Sequence, residues 1–427
     1  MSDRTALEAG IVARPDDDTA RLVFADWLEE HDEPLRAEFI RLQIEWERTE
    51  RFSAPWLALI GRMSVLIKAD PRELDAEPVS RLAPVPFRRG LTEAVRFTVG
   101  RVLDSGWHWY ERTPVRFAHL VATNEPHVMF NELEGGIPVE RLTGLEVTAG
   151  YVATSASGLL SAWDTRARGL RAFGLTNGSY SGAQFNGVLG AFAPGQLTAL
   201  SVAGARPIYF HSMPLAQWDW PSNLTWLDLS NVQIHNRLAD EVAACTFPSV
   251  ETLRFSGEAH RYPFLELHLR DTGLRRVLEA GTFPAVRRLD VSHQDLGPES
   301  LRALIGRGST LKLEELRFAR NGLSIETVDE ENEFAPLTNG GSAAVVALAE
   351  SGTDALRLLD LSGQRLGQIG AHLLRESAHL PNLCVLIVRD CGLKPSAVRA
   401  LRERFPCVLA GDAEDLTHVP AFFEVWP

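Results

Sequence analysis

At 427 residues the chain is longer than a single compact core usually grows, so its length calls for several domains or an elongated repeat array. With 45% hydrophobic and 23% charged residues, its composition is that of a folded protein and excludes disorder as the default. A formal charge of -13 opposes a phosphate backbone and sets nucleic acid aside as a partner, and there is no run of about eighteen apolar residues to span a bilayer.

The opening MSDRTALEAGIVARPDDD lacks the basic-then-apolar layout of a signal peptide. Cys245, Cys384, Cys391 and Cys407 are too few for a disulfide framework. The expected compartment is therefore the cytoplasm, with no membrane association.

Helical spacing comes first. Leu7 and Ile11 sit one turn apart, and Pro15 with Asp16, Asp17 and Asp18 interrupts the pattern and supplies a helix N-terminus. A second helix is expected over Thr19 to His31 on Leu22, Phe24, Trp27 and Leu28, ending at Asp32 to Pro34. Leu35, Phe39, Leu42 and Trp46 line one face of a third, and Trp56, Leu59, Ile60, Met63, Leu66 and Ile67 mark a further amphipathic segment. Asp26, flanked by Ala25 and Trp27, reads either as a functional carboxylate or as an interhelical ion pair with Arg36 or Arg41. The pair is the preferred reading, because a carboxylate beside a buried face needs a partner.

The runs Arg21-Leu22-Val23-Phe24-Ala25-Asp26-Trp27-Leu28-Glu29-Glu30 and Arg36-Ala37-Glu38-Phe39-Ile40-Arg41-Leu42-Gln43 resemble the bacterial repeat-companion domain, a small helical module found beside repeats. The resemblance spans Leu7 to Arg48 and implies a bacterial source and a repeat array to follow; it carries no chemistry with it.

Pro71, Pro78, Pro84 and Pro86 mark a connection. Leu91, Glu93, Val95, Phe97 and Val99 then alternate as in a strand, and a helix is expected through Trp107, Trp109 and Tyr110. Together these form the opening cap that an array requires. From Val115 a spacing of about 27 residues emerges, with first positions at Val115, Leu142, Leu170, Leu197, Leu224, Val250, Val286, Leu313, Leu356 and Leu383. The stretch Leu313 to Leu323, LEELRFARNGL, is the most regular: Leu313, Leu316, Phe318 and Leu323 fall at positions 1, 4, 6 and 11, with Asn321 at position 9. This matches the leucine-rich-repeat template and resembles the ribonuclease-inhibitor class. Helical returns are expected over Ser300–Gly306, Ala343–Ser351, Gly370–Ser377 and Ser396–Phe405.

The implied fold is an α/β leucine-rich-repeat solenoid, with parallel strands on the concave face and helices on the convex face, preceded by a small all-helical domain. Its expected divisions are 1–69 (helical domain and adjoining helix), 70–114 (connection and cap), 115–407 (about ten repeats) and 408–427 (closing cap). One repeat alone buries too few apolar side chains to offset the entropy of ordering its chain, so the units must share layers with their neighbours. Position 9 reads Gln294, Asn321, Gln364 and Cys391 late in the array but Gly150, Gly178, Ala205, Val232 and Glu258 earlier, which predicts a less regular N-terminal half. Two inserts lengthen the spacing: one at 259–270 with Tyr262, Pro263 and Phe264, and an acidic one at 324–341 with Asp329, Glu330, Glu331 and Glu333.

Residues between the template leucines face the concave surface, where such arrays bind partners. The central position holds Asp228, Arg254, Asp290, Arg317, Asp360 and Ile387 in succession. Trp226, Arg287, Arg288, Glu314, Glu315, Arg320, Arg357 and Arg389 flank it. Two readings stand: mutual neutralisation across the sheet, or a recognition strip anchored by Trp226. No nucleotide-binding, hydrolase or metalloprotease motif occurs, and the cysteine spacing does not suit zinc. The expectation is a non-enzymatic interaction scaffold for a partner protein, without cofactor, metal or catalytic residue. The alternatives are a sensor or regulatory subunit of a bacterial signalling or defence assembly, and a hydrolase with an unrecognised site.

Overall fold

The computed structural model describes residues 3–69, 87–98, 113–121, 139–148, 164–177, 182–205, 215–232, 238–257, 269–306, 309–323, 346–347, 350 and 352–411. The expected helix at Trp107 to Tyr110, most of the 259–270 insert, the 324–341 insert, Gly150, Gly178, Glu258, most of Ala343–Ser351 and most of the closing segment lie outside the described residues.

Four helices open the chain: α1 (Asp3–Ala13), α2 (Asp18–Glu30), α3 (Pro34–Arg48) and α4 (Ala54–Ala69). Asp17 caps α2 by accepting the Thr19 N–H at 3.0 Å, and Pro34 occupies the first turn of α3, where the missing N–H costs nothing. A two-stranded hairpin follows, β1 (Phe87–Arg88) and β2 (Leu91–Thr92). Next come twelve strands hydrogen-bonded in chain order into one parallel sheet: β3 (Ala94–Thr98), β4 (Phe117–Val121), β5 (Gly144–Thr148), β6 (Ala172–Thr176), β7 (Ala199–Ser201), β8 (Trp226–Asp228), β9 (Thr252–Arg254), β10 (Arg288–Asp290), β11 (Glu315–Arg317), β12 (Leu358–Asp360), β13 (Val385–Ile387) and β14 (Cys407–Leu409). The strands β4 to β13 fall one in each repeat read from the sequence, and β3 and β14 add a strand at either end. This is a leucine-rich-repeat solenoid with a helical N-terminal part.

The chain forms two compact units, one built on residues 1–210 and one on 224–415. In the first, the returns between strands include 3-10 turns at Val139–Arg141 and Asp164–Gly169 and the helix α5 (Gly182–Leu189). The strands themselves are regular: Ala118, Leu145, Phe173 and Leu200, all at template position 4, align across β4 to β7. Among the described residues, this half therefore keeps a regular sheet register. The second unit carries α6 (Leu238–Ala243), α7 (Arg270–Glu279), α8 (Pro298–Ile305), α9 (Gly367–Glu376) and α10 (Pro395–Arg404).

The chain turns sharply after each strand, and in seven of the described repeats position 8 does so in the left-handed region, Gly257 being the exception. Asn177, Gly204, Asn231, His293, Arg320, Gly363 and Asp390 have φ of 55, 70, 55, 58, 50, 69 and 53°. Position 9 then closes the turn. Asn321 accepts the Gln294 and Leu296 N–H groups at 2.9 and 3.2 Å and donates to the Val291 and Phe318 carbonyls at 2.9 and 3.2 Å. Gln364 accepts the Leu323 N–H at 3.0 Å and donates to the Phe318 carbonyl at 2.6 Å, and Cys391 donates to the Leu361 carbonyl at 3.1 Å. Ala205 and Val232 are simply buried there, so the earlier turns are filled by apolar packing.

The helical part is seated on the first strands by a buried network. Arg21 lies on the apolar stripe of α2 with Phe24, Ala25 and Leu28, and is wholly buried. Its guanidinium donates to the Pro15 carbonyl at 3.2 and 2.8 Å, to the Arg88 and Arg89 carbonyls at 3.1 and 3.3 Å, and to Glu93 Oε1 at 2.6 Å. Leu91 of β2 inserts into the core formed by Ile11, Phe24, Leu28, Ile40 and Ile44. Gly90, at φ 79°, donates its N–H to Gln43 Oε1 at 2.6 Å, and a Cβ there would lie 2.3 Å from Ile40 Cα. Only glycine fits that turn.

The expected interhelical pair at Asp26 forms, through Arg41 and not Arg36, but in solvent and not beside a buried face. Arg41 bonds Asp26 and Glu29, both at 2.7 Å, but Asp26 is 67% exposed, and Arg36 lies instead 3.8 Å from Glu33. A solvated pair of this kind contributes little. The ion pair that matters is Arg21–Glu93, whose side chains are 0% and 1% exposed.

Candidate functional site on the strand face

Side chains alternate across a strand, so with template positions 4 and 6 in the core, positions 3 and 5 share the opposite face. Strand pairing places Asp228 opposite Arg254, Arg254 opposite Asp290, Asp290 opposite Arg317, Arg317 opposite Asp360 and Asp360 opposite Ile387. The alternation read from the sequence is thus an in-register ladder. Neighbouring strands are about 4.8 Å apart, so opposite charges stand side by side and like charges about twice that distance apart.

The named residues do not all share one environment. Trp226, Asp228 and Glu315 are buried, which removes Trp226 as an exposed aromatic anchor: an enclosed ring has no face to offer. Arg254, Arg288, Asp290, Arg317 and Asp360 are half-buried on the face itself. Glu314 and Arg357, at position 2, lie at the strand entrances, where Arg287 binds Glu314 at 2.8 Å and Arg357 donates to the Asn382 carbonyl at 3.2 Å. Arg320 and Arg389 lie at the strand exits. Gly363 leaves room for Arg320 to cross its repeat, a Cβ there falling 2.4 Å from Arg320 Cγ, and Arg320 approaches Asp390 at 3.7 Å. Arg389 has occluded Nε and Nη2 atoms without a hydrogen-bond partner.

The aspartates also hold the backbone. Asp228, Asp290 and Asp360 accept the N–H of Ser230, Ser292 and Ser362, two residues on, at 2.9, 3.0 and 2.9 Å. The serine hydroxyls continue the pattern: Ser230 Oγ accepts the Ser256 N–H and Ser292 Oγ accepts the Ala319 N–H, each at 3.2 Å. The signal was present as Leu-Asp-Leu-Ser, Leu-Asp-Val-Ser and Leu-Asp-Leu-Ser at 227–230, 289–292 and 359–362. Burial raises the Asp360 carboxyl above its ordinary value, partly offset by Ser362 and Arg317.

Sequence reasoning missed the matching positions in the first unit. His119 and Glu146, at position 5 of β4 and β5, lie 3.6 Å apart and are buried. His119 Nε2 is 2.8 Å from Thr148 Oγ1, which is 2.7 Å from Thr176 Oγ1, which donates to Glu146 Oε1 at 3.2 Å. Glu146 Oε2 is buried without a hydrogen-bond partner. The same register that exposed the charged ladder would have located this polar cluster.

Burial pushes the Cys391 thiol up to about 12, so it remains a neutral donor at its turn. Among the described residues, no group of three or more His, Cys, Asp or Glu side chains converges to hold a metal ion, and no helix is long and apolar enough to cross a membrane.

No family model matches the chain, and no curated protein is similar to it in sequence. Among solved structures it is similar to the leucine-rich-repeat-containing protein LegL7 from Legionella pneumophila, with 14% identity over 78% of this chain and 99% of that one and a TM-score of 0.42. A chain of the yeast Rad7 and Elc1 complex matches at 14% identity over 90% of this chain and 82% of that one, TM-score 0.42. A Bacteroides fragilis protein matches at 12% over 73% and 80%, TM-score 0.40. The fold assignment rests on the sheet and its register.

Proposed function

We propose that the chain is a non-catalytic scaffold that binds a partner protein on the strand face of its repeats, in the cytoplasm of a bacterial cell. The observation that carries this reading is the in-register charged ladder of Arg254, Asp290, Arg317 and Asp360, half-exposed on one face. Rows of alternating sign give orientation and register to an incoming surface more than raw affinity. Arg288, Glu314, Arg320, Arg357 and Arg389 extend the strip to both ends of the strands, while Trp226, Asp228 and Glu315 support it from within. The helical N-terminal part, seated through Arg21 and Leu91, acts as the cap of the array in the manner of a repeat-companion module.

The test is affinity capture from the native lysate with the full chain and with a variant carrying Arg254→Glu, Arg288→Glu and Arg317→Glu. A stoichiometric partner protein should be retained by the first and lost by the second at unchanged melting temperature. Equal recovery with both would remove the strand face as the contact.

A further inference from the structure

We propose that the apolar cavity under α7, between the repeats that begin at Val250 and Val286, is a binding site for an uncharged, hydrocarbon-rich small molecule. The cavity measures about 200 Å³. Leu253 and Phe255 form one wall, Leu289 and Val291 a second, and Leu274 and Val277 of α7 the cover. Its mouth is bordered by Gly281, Pro284, Thr310 and Leu311, of which Gly281, Pro284 and Thr310 are exposed.

Close-packed interiors rarely keep a void larger than a water molecule. Water is a poor occupant here, because it needs two to four polar partners. No lining side chain is charged, and the hydroxyls belong to Thr282 and Thr310 alone. Thr282 already donates to the Val242 carbonyl at 3.5 Å. An apolar void of about 150 Å³ is enough to stay dry and take up benzene, so this one accommodates a larger guest. A charged ligand is excluded by the cost of desolvation against such walls. The guest this chemistry selects is a neutral alkyl or fused-ring molecule whose single polar end, where present, meets Thr310 at the mouth.

The full chain is titrated with N-phenyl-1-naphthylamine, an uncharged probe that fluoresces in apolar surroundings, and then with 1-decanol as competitor. Saturation at one probe per chain, displacement by decanol and a ligand-dependent rise in melting temperature are expected. Val277→Phe occupies the cavity and should weaken binding at least 10-fold while the melting temperature holds or rises. Thr310→Trp sets a ring at the exposed mouth without touching the core and should also weaken binding at least 10-fold, so it decides the matter where the core variant does not fold. Absence of saturable binding, or binding by folded Thr310→Trp equal to that of the unaltered chain, overturns the proposal.

Discussion

Replacing Arg21 with alanine removes a side chain that makes five hydrogen bonds, to the carbonyls of Pro15, Arg88 and Arg89 and to Glu93. The Glu93 carboxylate is left buried without its counterion, and the carbonyls without their donor. Removing one partner of a buried ion pair costs about 3–5 kcal/mol, a large part of the 5–15 kcal/mol that holds a typical domain folded. Arg41→Ala is the control, because its pair with Asp26 is solvated and worth about 0–1 kcal/mol. Urea unfolding measures both losses, and amide hydrogen exchange locates them, with α2 and α3 losing protection ahead of β11 to β13 in the Arg21 variant. A double change, Arg21→Met with Glu93→Leu, should recover the part of the loss that comes from the unpaired buried charge, while the three carbonyls stay without a donor. If Arg21→Ala and Arg41→Ala unfold at the same urea concentration, the network does not seat the helical part and the reasoning fails.

Burial raises the Glu93 carboxyl from 4.5 to about 6, against the pull of Arg21. The folded state then holds more protons than the unfolded one between those values, so this group's contribution is full below pH 4.5 and is lost as the pH rises through 6. Relative to Glu93→Gln, the unaltered chain should gain about 2 kcal/mol in urea unfolding between pH 7 and pH 4.5. Asn321→Ala strips partners from four backbone groups and should cost about 3 kcal/mol, with faster exchange confined to the amides around 291–296. Gly90→Ala forces a Cβ against Ile40 at a positive φ and should cost more than about 1 kcal/mol, read as a lowered melting temperature.

The repeat register is legible because a solenoid writes its contacts into local spacing: the apolar side chains at positions 1, 4 and 6 and the turn at positions 8 and 9 meet the same positions one repeat away. That is why Asn321, Gln294, Gln364 and Cys391 are identifiable from sequence, and why Asp228 to Ile387 align as expected. The Arg21–Glu93 pair joins positions 72 apart, outside any repeat period. Even so, a clue existed, in that Arg21 interrupts an otherwise apolar helical stripe with Phe24, Ala25 and Leu28.

Sequence by itself determined the architecture of this chain: helices first, then strands at a near-constant interval. Tertiary structure decided how each environment is used. It enclosed Trp226 and left Arg254 half-exposed, although both face away from the template leucines, and it solvated Asp26 while burying Arg21 on the same helix. Periodicity fixes which face a side chain occupies, because that depends on backbone geometry alone. Exposure and pairing depend on what other segments bring to that face, and no local spacing encodes that.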